Sequence, residues 1–432
     1  MSITVPGRPA EDLGPATEPL PIEPGLLGLV SDLVEQHSRE LTYMRRWLHS
    51  RPEISRAEHQ TTAMLKERLM VEGLQPKVLS VGTGISCDIG EAGPIVALRA
   101  DIDALAMRDA KDVPYRSRYD GACHACGHDV HTAVVLGAGL VLRDLMAAGR
   151  LRGRIRLIFE PAEEAIPGGA LDVIDEGWLD GVGGIFGVHC DPKLDAGTLG
   201  CRIGSITSAS DIVSIRMSGP GGHTARPGLT VNLADEAALL VRELPGAVEA
   251  LVGGHGATRL VFGQLHAGSA ANVIPAEARL AGSLRTPSPT AWDALGPAVP
   301  RAIANVLGTD LRPEANGHQG SRPDGLHWHL EHHQGVPPVI NDAEATRIIA
   351  RAAHATAGTG AAIDTPHSWG GDTFGWYLHH VPGSYARLGT HWPGRPDRLD
   401  LHQPEFDVDE RSIPFGTQVL VLAALAWMAR LR

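Results

Sequence analysis

Hydrophobic and polar positions along the first half of the chain switch between a helical and a strand-like spacing. From about Gly25, apolar residues recur every three or four positions in LLGLVSDLVEQHSRELTYMRRW and again in HQTTAMLKERLM, which predicts two amphipathic helices. Short, nearly continuous apolar runs predict buried strands in ISCDIG, PIVALRAD, GRIRLIFE and GGIFGVHC, with a helix in HTAVVLGAGLVLRDLM. Strands that alternate with helices predict an α/β fold with a largely parallel, covered central sheet.

The pattern changes near Ser210, where polar and apolar residues begin to alternate one by one. This alternation in ASDIVSIRMS predicts a half-buried strand, and the elements after it follow the order helix, strand, strand, helix, strand. The complete order is that of a ferredoxin-like α+β unit. We therefore predict an inserted domain over residues 210–334, within a discontinuous α/β domain formed by residues 26–209 and 335–432.

The two ends of the chain differ in composition from the predicted domains. Residues 1–25 are rich in prolines and acids and contain no apolar core of a signal peptide, so we predict a flexible tail. Near the other end, the run VLVLAALAWMA is too short to span a bilayer and predicts a buried terminal helix. We therefore expect no association with a membrane.

Net charge indicates which kinds of partner the protein can bind, and cysteine content indicates the redox state of its compartment. The 432 residues carry a formal net charge of −12 with the histidines neutral. Binding to phosphates requires clustered lysines and arginines, so we do not expect nucleic acid as a partner. Five cysteines are sparse for this length and odd in number, which argues against a disulfide framework and for a reduced, cytoplasmic protein.

Thiol, imidazole and carboxylate side chains gather in four short motifs, CHACGHDVH, FEPAEE, GVHC and LHQPEFDVDE. These groups form the ligand set of a borderline-soft divalent metal, and the motifs follow predicted strands or lie in loops, where open α/β sheets place their sites. Because successive side chains diverge, Glu164 can bind the metal while its neighbour Glu163 acts as a general base. The predicted ligands are Cys126, His128, Glu164, His189 and His402.

Two other interpretations of these residues stay open. Cys123 and Cys126 form a CxxC pair, which is found in redox proteins and in half of a zinc knuckle, but a redox pair leaves His189 and His402 unexplained. A catalytically silent metal-binding protein would not need Glu163 as a base. The combination of motifs therefore favours a metal-assisted hydrolase.

The motifs resemble those of the M20 metallopeptidase clan, and within it the amidohydrolase branch of N-acyl-amino-acid, hippurate and auxin-conjugate hydrolases. The resemblance begins near residue 35 and is carried in order by RADIDAL, HACGHDVHTA, FEPAEE, GVH, GPGGHTARP, NVIP, GSLRT, PGSYARLG and LHQPEFDVDE. It implies a catalytic domain with two divalent ions bridged by Cys126, and a ferredoxin-like lid that also forms a homodimer. Zinc is the first expectation because of the thiolate, with manganese, cobalt or nickel as alternatives.

The resemblance also implies roles for individual residues. Glu163 would be the general base and acid, and Asp103 in RADIDAL would orient a ligand. His223 in GGHTARP would reach the site of the partner subunit and polarise the scissile carbonyl. Asn272 in ANVIP and Arg285 in GSLRT would help to hold the substrate carboxylate or carbonyl, since an arginine fork can bind a carboxylate bidentately. Structural roles stay open for Asp103 as a turn cap, for His223 in its glycine loop, and for Arg285 as a surface arginine.

Three positions depart from the pattern of the family. Cys123 stands where the family usually has methionine; a thiol there could change the metal preference or add sensitivity to oxidation, although we expect a packed, inert cysteine. The G-S-E-D-F motif of the family reads GGDTF over residues 370–374, and EAIPGGA replaces a glycine run after the paired glutamates. The change to GGDTF bears on the shape of the substrate pocket, and the change to EAIPGGA bears on the local loop.

These predictions describe a hydrolase that cleaves the amide bond of N-acyl amino acids or amino-acid conjugates to a carboxylic acid and a free amino acid. Glu163 would take a proton from a water activated by the metals and return it to the leaving amine. The alternative within the clan is a dipeptidase or aminopeptidase, for which Asp372 could pair with a free substrate amine. The expected partners are a small-molecule substrate and a second copy of the chain.

Overall fold

The computed structural model describes residues 13–314 and 317–432, which form two compact units. The described part of the larger unit comprises residues 13–206, 340–366 and 373–432, and that of the smaller unit comprises residues 207–314, 317–339 and 367–372. Residues 1–12 of the predicted flexible tail lie outside the described residues. In the rest of that tail, Leu13, Leu20 and Ile22 are partly buried and pack against the core, which the polar composition of the segment did not indicate.

The elements are numbered in chain order. The helices are α1 (Leu26–His49), α2 (His59–Val71), α3 (His128–Ala147), α4 (Ala170–Asp175), α5 (Leu233–Val252), α6 (Pro289–Leu307), α7 (Ala343–Ala357), α8 (Phe374–Leu378) and α9 (Ser412–Arg430), with a 3₁₀ turn at Pro227–Leu229. The strands are β1 (Lys77–Val78), β2 (Ile85–Ile89), β3 (Ile95–Asp101), β4 (Arg154–Glu160), β5 (Val182–Asp195), β6 (Leu199–Cys201), β7 (Gly204–Ser205), β8 (Ala209–Ser218), β9 (Gly222–His223), β10 (Arg259–Ala267), β11 (Val273–Ile274), β12 (Glu277–Thr286), β13 (Arg312–Glu314), β14 (Gly317–Ser321), β15 (His327–Val336), β16 (Ile340–Asn341), β17 (Ala362–Asp364) and β18 (Gly383–His391).

The larger unit is built on an eight-stranded sheet with the order β1-β2-β4-β3-β5-β18-β6-β17. The four central strands β4, β3, β5 and β18 run parallel, and antiparallel pairs occur towards the edges. All seven residues of β3 are buried, as expected for a strand that is covered on both faces. The predicted α/β class with a largely parallel central sheet is confirmed.

Two apolar helices, α3 and α9, form much of the core of the larger unit. Both are long and apolar enough to cross a membrane by length and composition, but 78% and 83% of their apolar windows are buried inside the protein. The C-terminal apolar run was predicted to be too short to span a bilayer, but it belongs to a longer helix of 19 residues. Its predicted burial is observed, and such burial is typical of a core helix in a globular unit.

The smaller unit is built on a six-stranded antiparallel sheet with the order β10-β12-β8-β15-β14-β13. Helices α5 and α6 pack against each other and contact this sheet. Along β8 buried and more exposed residues alternate, with Val213, Ile215 and Met217 buried, which agrees with the pattern read from the sequence. Strands β13 and β14 were not predicted, because Arg312–Glu314 is exposed and GHQGS shows no clear apolar alternation.

Candidate metal centre

The turn between Cys126 and His128 depends on the glycine between them. Gly127 precedes the first residue of α3 and has a φ of 86°, in the left-handed region that favours glycine. A Cβ atom at this position would lie 2.6 Å from Cys190 Sγ, so a larger residue would not fit without a shift. The turn buries both Cys126 and His128, which are 6% and 1% exposed. The loop can therefore direct a thiol and an imidazole to one point, as predicted from the motif.

The paired glutamates follow the C-terminal end of β4. The chain turns at Ala162, whose φ is 55° and whose N–H donates to Glu58 Oε1 at 2.7 Å. Beyond this turn, Glu164 Oε1 lies 3.4 Å from His402 Nε2, whereas Glu163 Oε1 accepts a hydrogen bond from Thr373 N at 3.4 Å. The two side chains therefore have different partners, which is the divergence that separate roles require.

The five predicted ligands lie in two groups that share one thiol. Cys126, His128 and His189 form the first group, and Cys126, Glu164 and His402 form the second, with the ligand atoms of each group within 4.8 Å of one another. Cys126 Sγ is 3.5 Å from His189 Nε2 and 3.4 Å from His402 Nε2. A third overlapping group contains His128 and both glutamates. The structure thus brings together all five predicted ligands and Glu163.

Two buried polar atoms in this cluster test whether a metal fits it. His128 Nε2 and Glu164 Oε1 are buried, and neither makes a hydrogen bond among the described residues, since the 3.4 Å approach of Glu164 Oε1 to His402 Nε2 is a salt-bridge contact and not a hydrogen bond. Leaving such atoms unsatisfied costs about 1–3 kcal/mol each. Divalent ions between the imidazoles, the carboxylate and the shared thiol would satisfy both atoms with ligand types that zinc and related metals accept. The residues therefore fit a two-metal site.

Hydrogen bonds fix the ring orientation of two of the three histidines. His128 Nδ1 is 2.9 Å from the carbonyl oxygen of Asp103, and His189 Nδ1 is 2.8 Å from that of Cys190. A carbonyl only accepts, so Nδ1 carries the proton in both rings and Nε2 faces the cluster. Burial lowers the pKa of His189 well below its usual value, which keeps this ring in the neutral form that binds metals.

Electrostatics at Cys126 favour a positive ion in the cluster. Burial raises the pKa of the Cys126 thiol well above its usual value. The thiolate form, which is the form that binds metals, therefore requires a compensating positive charge. A coordinated divalent cation provides such a charge and deprotonates a thiol ligand outright.

Asp103 lies directly behind the cluster and contacts two of its elements. Its Oδ1 is 3.1 Å from His128 Nδ1, and its Oδ2 accepts from Glu164 N at 3.0 Å and from Ser55 Oγ at 2.6 Å. Burial would raise the pKa of this carboxyl, but the hydrogen bonds from His128, Ser55 and the Glu164 backbone outweigh it and lower the pKa. Asp103 is therefore a carboxylate that holds a ring and the glutamate loop in place, which supports the orienting role expected from the sequence.

Sequence reasoning missed a second buried pair that supports His189. His131 Nδ1 lies 2.6 Å from Asp101 Oδ1, and His131 Nε2 accepts from Cys190 N at 2.7 Å. This bond holds the strand residue that directly follows His189. The spacing of HDVH gave a signal, because residues three apart on a helix share a face and His131 had to lie near His128.

A buried arginine links the candidate base Glu163 to the core and was also missed. The guanidinium of Arg99 donates to Glu160, to Asp101 and to Thr373 Oγ1 at 2.6, 2.6 and 2.8 Å. Thr373, one of the residues in the altered GGDTF segment, in turn donates its backbone N–H to Glu163. The altered segment thus contributes a residue that positions the candidate base.

The environment of Cys123 differs from that of the candidate metal ligands. Burial raises the pKa of its thiol to about 11, and Lys111 Nζ lies 3.6 Å from its sulfur. The side chains of Cys123, His49 and Asp109 lie close enough together to hold a metal ion. However, the ammonium group of Lys111, 2.9 Å from Asp109, already supplies a positive charge there. No cysteine among the described residues forms a disulfide. This environment supports the expectation of a packed cysteine and gives no support to a redox pair.

The remaining predicted residues lie in the smaller unit. His223 on β9 pairs with Val273 on β11, and Thr224 N donates to the carbonyl of Asn272 at 3.3 Å. His223 and Asn272 are therefore neighbours on a two-stranded arm, where both are exposed. Arg285 lies on β12 and donates to the carbonyl oxygen of Trp369 at 2.7 Å. The structure brings together the first two of these residues and places the third on the main sheet of this unit.

Comparison with known proteins decides the family. The model of Peptidase family M20/M25/M40 matches residues 97–426 of the chain. The chain belongs to this family.

Two curated relatives and one solved structure define the likeness further. An N-acetyl-L-cysteine deacetylase of Bacillus subtilis (strain 168) is 36% identical over 377 residues, which cover 87% of this chain and 85% of the relative. A Rhodococcus jostii (strain RHA1) protein that carries the name glutamate–cysteine ligase 2-3 is 41% identical over 392 residues, but the 90% of the chain that matches spans only 47% of that protein. The crystal structure of the YXEP protein of Bacillus subtilis, described as a dinuclear metal-binding peptidase of the M20 family, aligns with a TM-score of 0.76 at 28% identity and covers 91% of this chain and 99% of that one.

These comparisons confirm two predictions made from the motifs. The M20 assignment and its amidohydrolase branch are both confirmed. This M20 protein is accordingly a metal-dependent amidohydrolase.

Proposed function

We propose that this protein hydrolyses the amide bond of N-acyl amino acids, or of related amino-acid conjugates, to a carboxylic acid and a free amino acid. The observation that carries the proposal is the pair of ligand groups that share Cys126, with Glu163 beside them and engaged by a different partner from Glu164. The name of the Bacillus subtilis relative, a deacetylase of an N-acyl amino acid, supports the same substrate class.

The proposed metal ligands are the five residues predicted from the sequence, and zinc is the first expected metal. Two divalent ions would be held by Cys126, His128, Glu164, His189 and His402. When bound, they would lower the pKa of a water and withdraw charge from the amide carbonyl. The thiol shared by the two groups supports a bridging role for Cys126, and thiolate ligands favour zinc over harder ions.

Glu163 moves the proton in the proposed reaction. Its Oε2 lies 3.9 Å from His128 Nε2 and its Oε1 is held by Thr373 N, so the carboxylate stands at the cluster with a fixed orientation. It would accept the proton of the attacking water and deliver it to the nitrogen of the leaving amine. Asp103 keeps His128 and the Glu164 loop in position throughout.

The smaller unit would act as a ferredoxin-like lid and as the surface of a homodimer. We propose that His223, supplied by the partner subunit, polarises the scissile carbonyl, and that Asn272 and Arg285 hold the substrate carboxylate or carbonyl. The exposure of His223 and Asn272 on a short arm supports this role, because both side chains are accessible. A cytoplasmic enzyme is expected from its free, buried cysteines.

Release of free amine from a panel of substrates tests the proposal. Protein loaded separately with zinc, manganese and cobalt would be offered N-acyl amino acids and dipeptides. The proposal predicts hydrolysis of N-acyl amino acids that depends on the metal and disappears after chelation. Cleavage of dipeptides alone would contradict it in favour of a peptidase, and a fully loaded protein that cleaves neither class would contradict it altogether.

A further inference from the structure

Two arginines of the smaller unit lie directly opposite each other on neighbouring strands. Arg259 on β10 pairs in register with Arg285 on β12, so their side chains project from the same face of the sheet. Like charges in this position destabilise a sheet by up to about 1 kcal/mol. Among residues 13–314 and 317–432, neither guanidinium forms an ion pair with a carboxylate. An arrangement that is unfavourable by itself becomes favourable when an anion binds between the two groups.

A tryptophan from another part of the chain holds both arginines. The guanidinium carbon of Arg259 lies 4.0 Å from the ring centroid of Trp369, while Arg285 donates to the carbonyl oxygen of the same residue at 2.7 Å. Stacking on an aromatic face leaves the N–H groups of an arginine available in the plane of the guanidinium. Arg259 therefore keeps its fork for a ligand, and Arg285 keeps the N–H groups that Trp369 does not use.

The tryptophan is itself fixed in place. The His367 ring meets the Trp369 ring edge-on with centroids 5.3 Å apart. The backbone N–H of Ser208 lies within hydrogen-bond distance of the carbonyl oxygens of both Ser368 and Gly370, at 3.1 and 3.0 Å. These contacts define a platform of Arg259, Arg285 and Trp369 that needs little reorganisation to bind a ligand, and such preorganisation reduces the cost of binding.

The partial burial of the Arg285 side chain indicates that the ligand carries a negative charge. The side chain is half-buried, and burial lowers its pKa from the ordinary value. A guanidinium that has lost part of its hydration and has only a neutral carbonyl as partner gains from an anion. Planar carboxylates match the arginine fork, and each guanidinium can bind one of them bidentately.

We propose that Arg259 and Arg285, held by Trp369, bind the two carboxylates of a dicarboxylic substrate, so that the enzyme prefers N-acyl derivatives of acidic amino acids. The preference for acidic substrates rests on the proposed function, which assigns Arg285 to the substrate. The binding of a dicarboxylate to the two arginines does not depend on that function. Arg259 is then the residue that sets the specificity for the side-chain carboxylate.

Hydrolysis of a charged and a neutral substrate of the same shape tests the preference. N-acetylglutamate and N-acetylglutamine would be compared on the zinc-loaded wild type, on Arg259→Gln, and on Arg279→Gln, an exposed arginine of the same sheet, as control. We expect kcat/KM to favour N-acetylglutamate by about 10- to 100-fold, mainly through KM, in the wild type and the control. The ratio should fall towards one in Arg259→Gln. A wild type without preference, or a preference that survives Arg259→Gln, would overturn the proposal.

Binding of glutarate separates this inference from the proposed function. Calorimetry on the full-length protein reports dicarboxylate binding without any turnover. We expect binding to weaken about tenfold or more in Arg259→Gln and to persist in Arg279→Gln. If neither amide is hydrolysed but glutarate binds with this dependence, the proposed function fails and the dicarboxylate site stands. Equal affinity in the wild type and in Arg259→Gln would reject the site, whatever the enzyme hydrolyses.

Discussion

The candidate residues of the larger unit and those of the smaller unit are held in different ways. In the larger unit, Cys126 and His128 are buried, and Asp103 and Thr373 support the residues around them through hydrogen bonds. In the smaller unit, His223 is exposed on a two-residue strand and its Nδ1 accepts a local hydrogen bond from Ala225 N. The metal cluster is thus organised by the core of one unit, as precise chemistry requires. The exposed arm suits residues that act only when substrate or a second subunit is present.

The sharpest test of a cluster organised around one shared thiol is Cys126→Ser. Because Cys126 belongs to both ligand groups, its loss should remove both metals and reduce hydrolysis by more than about 100-fold, the upper range for changes outside the direct ligands. Metal content by elemental analysis and amine release check this. Cys201→Ala, which removes a buried thiol that belongs to none of the groups able to hold a metal among the described residues, should keep both metals. Retention of one metal in Cys126→Ser would show that the thiol is not shared.

Support from the core is tested next by Asp103→Asn. The amide cannot keep the carboxylate's bonds to both His128 and the Glu164 backbone, so metal affinity or activity should fall about 10- to 100-fold. Ser55→Ala removes only one donor to Asp103 and should have a smaller effect. Competition with a metal chelator measures both variants. Unchanged metal affinity in Asp103→Asn would mean that the residues of the buried cluster and those of the exposed arm differ less in how they are held than we infer.

The ion pair between Asp407 and Arg45 of α1 should make the stability of the protein depend on pH. Burial tends to raise the pKa of Asp407, but the charge of Arg45, 2.8 Å away, outweighs it and lowers the pKa below the unfolded value of about 3.8. The stabilising contribution is therefore complete above that value and is lost as the pH falls through the folded pKa. Asp407→Asn should lower the free energy of unfolding by about 1.5–3 kcal/mol at neutral pH. Urea unfolding should show this difference shrinking below about pH 4, and a constant difference down to pH 2 would contradict the assignment.

The smallest effect is expected for Cys123→Ser. The buried thiol of Cys123 has a raised pKa and contacts Lys111, so its replacement should leave hydrolysis within about twofold of the wild type. Steady-state kinetics under reducing and oxidising conditions would measure this. A large loss of activity in Cys123→Ser would revive the redox interpretation.

The sequence predicts the larger unit better than the smaller one, for a physical reason. Nearly continuous apolar runs fix the buried parallel strands, and ligands such as His189 and Glu164 lie in or just after those strands, so pattern and motif agree. In the smaller unit, the one-by-one alternation of polar and apolar residues predicts strand β8, but the hairpin β13–β14 has no such alternation.

Contacts between distant parts of the chain could not be predicted. Arg99 reaches Thr373, and Arg259 stacks on Trp369, although neither pair shares a motif or a helical spacing. Such side-chain contacts depend on the packing of complete elements, which periodicity does not encode. The packing of Leu13 and Leu20 against the core belongs to the same class, since two apolar residues in a polar segment give no signal of what they contact.

The most direct test of the account is hydrolysis by Glu163→Gln measured together with its metal content. Glu163 lies beside the ligand groups but is the proposed base, so glutamine should leave both metals bound while removing proton transfer. We predict full metal occupancy and a decrease of about 10²- to 10⁴-fold in kcat for an N-acyl amino acid. Unchanged hydrolysis in a fully loaded Glu163→Gln protein would contradict the proposed mechanism.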